Sequence, residues 1–172
     1  MIADKAYKVR HIIWIYIYMF YGYLAVQEAA GIGTIWDLIT YGKLDNSINL
    51  IPFSSEGAMT YILNIIMFMP LGFLLPLIWK NFRNAKKVVL MGFLMSLAIE
   101  ICQLFNLRAT DIDDLMMNTL GALVGYCCWK VFSLIFRNAG TKCMEIKKSE
   151  PVIYMFGGIL GLFLLYNWRV FD

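Results

Sequence analysis

The side chains able to do chemistry cluster in one stretch of the chain. Glu100 and Gln103 are followed by Arg108, by Asp111, Asp113 and Asp114, and then by Asn118. Ser96, Glu100, Gln103 and Leu107 fall at i, i+4, i+7 and i+11, the stripe of one helix face, and Asp114, Asn118, Gly121 and Gly125 repeat that spacing. Asn64 adds an amide from an earlier segment. Asp111, Asp113 and Asp114 are hard oxygen donors suited to a divalent cation such as Mg²⁺, Ca²⁺ or Mn²⁺. Such an ion would polarise a phosphoryl oxygen, with Glu100 as candidate general acid or base. Without an ion, the same carboxylates, amides and guanidinium form a polar site for a ligand rich in donors. No nucleophile with an adjacent base is evident.

The elements that must hold these residues are read from composition. Of 172 residues, 60% are hydrophobic even before 13 glycines are counted, only 16% are charged, and mean hydropathy is +0.66. Soluble domains reach about 45–50% with glycine included and about 25% charged, and a small globule cannot bury such an excess. The sequence therefore predicts an all-α integral membrane protein. Five apolar runs, 11–30, 58–79, 88–107, 115–136 and 152–168, are each long enough to cross a hydrocarbon core about 30 Å thick. They are helices because backbone groups in lipid must pair internally, and their continuity excludes a barrel. The whole chain, 1–172, reads as one transmembrane domain. The first run is longer than the core of a cleavable signal and reads as an uncleaved signal-anchor. Cys102, Cys127 and Cys128 lie in apolar runs and Cys143 in a basic loop, and His11 is the only histidine, so neither a disulfide framework nor a zinc motif is expected.

Cations alternate between the loops. Lys5, Lys8 and Arg10 precede the first run; Lys80, Arg83, Lys86 and Lys87 follow the second; Arg137, Lys142, Lys147 and Lys148 follow the fourth, with Lys130 snorkelling to the same side. The other side holds only Lys43, Arg108 and Arg169. The positive-inside rule puts the N-terminus inside and the C-terminus outside. The net charge of +3 thus reads as orientation rather than as nucleic-acid binding. The external face is acidic, and the clustered polar residues lie there.

Local signals refine this picture. An ionisable residue about 10 Å below the end of its span, as Glu100 would be, is expected to face the bundle interior or a wet cavity. A single Asp suffices to cap a helix N-terminus, so three acids within four positions require compensation from Arg108, a cation or a ligand. Pro70 frees the carbonyl of Ile66 and should kink the second span. Gly121 and Gly125 form a GxxxG face that permits close helix approach, and Gly157 and Gly161 form a second, within the chain or between copies in a homo-oligomer. Residues 49–53 (Asn-Leu-Ile-Pro-Phe) are short and apolar and could cover the acidic cluster, with Trp36, Tyr41 and Phe53 as interfacial anchors.

Asn49-Leu-Ile-Pro-Phe53, Asn64-x3-Phe68-x-Pro70-x-Gly72, Glu100-x2-Gln103 and Arg108-x2-Asp111-x-Asp113-Asp114-x3-Asn118-x2-Gly121 together resemble the VanZ-like family over about residues 45–130. Thr110, where a bulkier apolar residue is expected, is a small departure. The resemblance implies a multi-pass protein of a bacterial cytoplasmic membrane connected with resistance to teicoplanin-type glycopeptide antibiotics. Two readings of the site follow. In one, Asn64, Glu100, Gln103, Arg108, Asp111, Asp113, Asp114 and Asn118 form a binding site at the outer leaflet for a phospholipid, a lipid-linked cell-wall precursor or a lipoglycopeptide. In the other, the same residues form an enzyme acting on a lipid headgroup or lipid-linked envelope precursor, assisted by a divalent cation. A transporter is disfavoured because no inverted repeat or pair of broken helices is present.

Overall fold

The computed structural model describes residues 2–30, 48–53, 57–104, 110–136 and 148–167. Five α-helices make up almost all of it: α1 (Ile2–Ala30), α2 (Ala58–Ile78), α3 (Ala85–Leu104), α4 (Ile112–Ile135) and α5 (Glu150–Tyr166). Each coincides with one of the apolar runs. Three stretches, Val9–Gln27, Ala58–Ile78 and Ile112–Ile135, are long and apolar enough to cross a membrane. A two-residue parallel pairing joins β1 (Ile48–Asn49) to β2 (Thr110–Asp111), with Asn49 opposite Asp111. Two paired residues carry no period, so the sequence pattern gave no sign of it.

The contacts between helices fix their directions. Gly92 lies against Ala122 and Ser96 against Asn118, so α3 and α4 run antiparallel. Ile65 faces Gly121 and Met69 faces Gly125, so α2 and α4 run parallel. His11 meets Glu150 and Gln27 meets Tyr166, so α1 and α5 run parallel. Trp79, just past the end of α2, sits against His11 and Tyr18, and the Tyr21 hydroxyl donates to the Met67 carbonyl at 2.9 Å, so α1 and α2 are antiparallel. Successive helices therefore alternate in direction.

The tightest packing is between α2 and α4, and three glycines cause it. A Cβ at Gly72 would lie 1.9 Å from the Ala122 carbonyl oxygen, one at Gly121 2.4 Å from that of Ile65, and one at Gly125 2.0 Å from that of Met69. The backbones approach so closely that no side chain fits between them. The expectation for Gly121 and Gly125 holds. Around Gly157 and Gly161, by contrast, a Cβ would meet nothing within 4 Å, so this second pair is not a packing face within the described chain. Pro70 and Pro76 both lie inside α2, which nevertheless continues as one helix. The Met67 carbonyl, in the turn before Pro70, takes the Tyr21 hydroxyl as a donor, so a neighbouring helix serves the backbone near the proline.

A second polar knot, unforeseen in the sequence, ties α1, α2 and α5 together at the opposite end from the acidic cluster. Glu150 accepts from Trp79 Nε1 at 3.0 Å and from the Tyr154 hydroxyl at 3.2 Å, and lies 3.3 Å from His11 Nε2. The Tyr18 ring meets Trp79 edge-on at 5.0 Å. Burying these groups is tolerable only because each finds a partner. Above the knot, Tyr18, Val26, Leu71, Leu75, Met95 and Met155 belong to one apolar core.

Forcing a methyl into the α2–α4 contact should be costly, because only backbone could move aside. Gly121→Ala or Gly125→Ala is expected to lower stability by at least ~2 kcal/mol, read as a fall in thermal unfolding temperature of the detergent-solubilised protein. Gly157→Ala, placed in open space on a helix, is expected to be neutral or to stabilise by up to about 1 kcal/mol.

Candidate functional site

The Ser96–Asn118 pair sets the register of the polar stripe. Asn118 Nδ2 donates to Ser96 Oγ at 2.9 Å, and both residues are buried. One turn further along each helix, about 6 Å, α3 presents Glu100 and α4 presents Asp114. Gln103 and Asp111 follow on the next turn. Antiparallel packing thus brings the two stripes to the same height from residues that are far apart in sequence. Glu100 is only 4% exposed and Gln103 is buried beside it on the same face, so Glu100 points into the bundle rather than out toward headgroups. The Asn118 Oδ1 atom is buried with no hydrogen-bond partner among the described residues.

The three aspartates have different surroundings. Asp111 is the N-cap of α4: its Oδ1 accepts from the Asp113 N–H at 3.0 Å, and its Oδ2 accepts from Asn49 Nδ2 at 3.1 Å. Asp113, 0% exposed, accepts from the Phe53 N–H with both oxygens, at 2.8 and 2.9 Å, and from the Tyr61 hydroxyl at 2.9 Å. Asp114 accepts from Asn64 Nδ2 and is half-buried, the least enclosed of the three. N–H and O–H donors of residues 49–64 thus contribute to the compensation these acids require. Among the described residues, no group of three His, Cys, Asp or Glu side chains is arranged to hold a metal ion. The reason is visible in the contacts: the oxygens of Asp111, Asp113 and Asp114 turn to separate donors rather than to one point. The arrangement does not support the three acids as a joint metal site.

The covering segment expected at residues 49–53 is present and closely held. Asn49 Oδ1 accepts from the Ile51 N–H at 3.1 Å, closing a turn, and Pro52 leads into Phe53. Phe53 has φ +62°, a left-handed conformation uncommon for a non-glycine residue, and such backbone persists where the surroundings over-determine it. Here the two bonds to Asp113 and the edge-on Tyr61 ring, 6.0 Å away, do so. The tip of this turn is apolar and outward: Leu50, Ile51 and Phe53 are 69%, 68% and 63% exposed.

Of the residues expected in the site, Asn64 and Asp114 are joined directly, and Asn118 is joined to Ser96 in the same stripe. Glu100 and Gln103 are buried on the facing helix, while Asp111 and Asp113 hold the cover. Arg108, Trp36 and Tyr41 lie outside the described residues. Tyr61 was missed, although it stands one turn before Asn64 on α2 and so shares its face.

Comparison with known proteins identifies a family. The family model described as VanZ/LLP1 matches residues 12–134, a range that includes the stripes, the acids and the covering turn. Among curated proteins, Protein VanZ of Enterococcus faecium is 37% identical over 134 residues, covering 77% of this chain and 77% of that protein. No solved structure matches the chain.

If Asp113 is the anchor of the cover, its donors should matter in order of burial. Tyr61→Phe is expected to cost about 1–3 kcal/mol through one lost hydrogen bond to a buried carboxylate. Asp113→Asn is expected to cost more, because in either orientation its new NH₂ would face the Phe53 N–H, a donor, and the negative charge that strengthens both bonds is lost. Thermal unfolding in detergent ranks the two, and an Asp113→Asn protein as stable as the wild type would contradict the assignment.

Proposed function

The chain belongs to the VanZ/LLP1 family, and on that footing we propose that it lowers bacterial susceptibility to teicoplanin-type glycopeptides. In this reading it crosses the cytoplasmic membrane five times, with the N-terminus inside and the C-terminus outside. Two independent features support the topology: the loop cations alternate with the crossings, and successive helices alternate in direction. The acidic cluster then stands at the outer leaflet.

The observation that carries the reading is the inequality of the three acids. Asp111 and Asp113 are spent on the cover and on the start of α4, whereas Asp114 combines partial exposure with a position level with buried Glu100, one turn from buried Gln103 and Asn118. A ligand presenting ammonium, amide N–H or hydroxyl donors would meet Asp114 first. Asn64 positions that carboxylate from α2, through a bond that leaves its second oxygen to accept from the ligand. A lipid-linked precursor or a lipopeptide fits this chemistry, because its polar part can lie at the carboxylates while its acyl part remains in the hydrocarbon. By holding the drug or its lipid-linked target there, the protein would reduce productive encounter between the two.

Expression of variants in a susceptible bacterium tests this. Asp114→Asn and Glu100→Gln, at wild-type membrane levels, are expected to bring teicoplanin protection most of the way back to the empty-vector level, with a matching change in cell-bound fluorescent teicoplanin. Unchanged protection by both would sink the binding reading. The topology has its own measurement: alkaline phosphatase fused after Asp172 should be active, and fused after Asn84 inactive.

A further inference from the structure

A cavity of about 220 Å³ lies between α1 and α5, away from the acidic cluster, with Leu71 of α2 and Met95 of α3 as its floor. Its position along the helices is central. Tyr18 stands at the middle of the Val9–Gln27 stretch and Gly158 at the middle of α5, and the lining continues along α1 to Val26, about 12 Å at 1.5 Å per residue. The walls are apolar for a specific reason. Four tyrosines line the space, and three of them turn their hydroxyls to protein partners: Tyr18 donates to the Pro151 carbonyl at 3.4 Å, Tyr21 to the Met67 carbonyl at 2.9 Å, and Tyr154 to Glu150 at 3.2 Å. What these residues offer the cavity is ring surface. Ordered water needs two to four polar partners, whereas even a dry apolar cavity of about 150 Å³ takes up a hydrocarbon ligand.

The cavity also has a mouth. Met19 and Tyr23, one turn apart on α1, both line it and are both exposed on the outside of the bundle. Gly22 and Gly158 line it as well, and a Cβ at either would meet nothing within 4 Å. The space is therefore created by missing side chains, on helices that otherwise carry large residues. In a chain that spans a bilayer, the medium at that mouth is acyl chain, and leaving the void empty would forfeit dispersion contacts along its whole lining.

We propose that this cleft binds one acyl chain of a membrane phospholipid, entering sideways between α1 and α5 past Met19 and Tyr23. The assignment requires the chain to lie in a membrane but does not depend on what the acidic cluster binds. Its consequence is a resident lipid that completes the packing of α5 against α1, where the helices alone leave a gap.

The probe is a phosphatidylcholine carrying a photoactivatable diazirine on one acyl chain, incorporated with the full-length protein into nanodiscs. Adducts are expected to concentrate on Met19, Tyr23 and Ile159, to saturate at one per protein, and to be competed by unlabelled phosphatidylcholine. Gly158→Leu and Gly22→Leu, at positions where a Cβ meets nothing within 4 Å, should each reduce this labelling at least tenfold. Gly161→Leu, equally open but outside the cavity, should leave it unchanged. Asp114→Asn should also leave it unchanged, which separates failure of this proposal from failure of the acidic-site reading. Labelling spread evenly over all lipid-facing residues, or unaltered in both glycine-to-leucine variants, would overturn the proposal; if one variant fails to fold, the other and the wild-type adduct map decide.

Discussion

Everything in this bundle hangs on how closely the backbones of α2 and α4 approach. Gly72, Gly121 and Gly125 remove the side chains that would hold the two helices apart, so carbonyls and Cα atoms of one lie directly against the other. In lipid there is no hydrophobic gain from pressing two apolar helices together, and association rests on dispersion and on hydrogen bonds between helices. Close contact maximises the first and permits the second. Asn64 reaches Asp114, and Tyr61 reaches Asp113, only because the helix axes are held near each other along several turns. The acidic site is in this sense a product of glycine placement.

The polar groups in turn specify which close packing is adopted. A smooth glycine face tolerates sliding, whereas a buried Asn–Ser pair and a buried carboxylate with three donor contacts have one register that satisfies them. Their net contribution to stability is modest, but the penalty for misplacing them in hydrocarbon is large. Apolar contact supplies the attraction and the hydrogen bonds choose among its alternatives. The Glu150 knot plays the corresponding part at the other end for α1 and α5, which share little tight packing with the rest.

Much of this could be read from the residues alone. The five helices followed from apolar runs of the right length, a close-packing face on α4 from Gly121 and Gly125 though not its partner α2, and the inward face of α3 from the spacing of Ser96, Glu100 and Gln103. That one aspartate caps the start of α4 was also legible, but not that it is Asp111, because the apolar run starts three residues after the helix does. What escaped notice shares a physical cause: it depends on pairing between distant segments that leave no period. Tyr61 is one aromatic among many, and only the packed structure shows that its hydroxyl, rather than its ring alone, is used. The β1–β2 pairing is too short to register. His11 and Glu150 looked like isolated polar residues near the ends of spans, 139 positions apart, and their meeting is a matter of helix arrangement. Two backbone N–H groups, those of Phe53 and Asp113, serve the neighbouring acids in a way invisible in composition, while Arg108 lies outside the described residues.

The turn over the acidic cluster has an unequal attachment. Its inner side is tied to Asp111 and Asp113, while its outer tip presents Leu50, Ile51 and Phe53 to the surroundings. In the proposed topology those three side chains would stand near the level where hydrocarbon gives way to headgroups, a level set by the lipids and not by the helices. On that reading bilayer thickness and acyl composition would act on the tip, at fractions of a kcal/mol per ångström of mismatch, while its inner side stays anchored. The surrounding membrane would then bear on the cover of the site without any effector molecule.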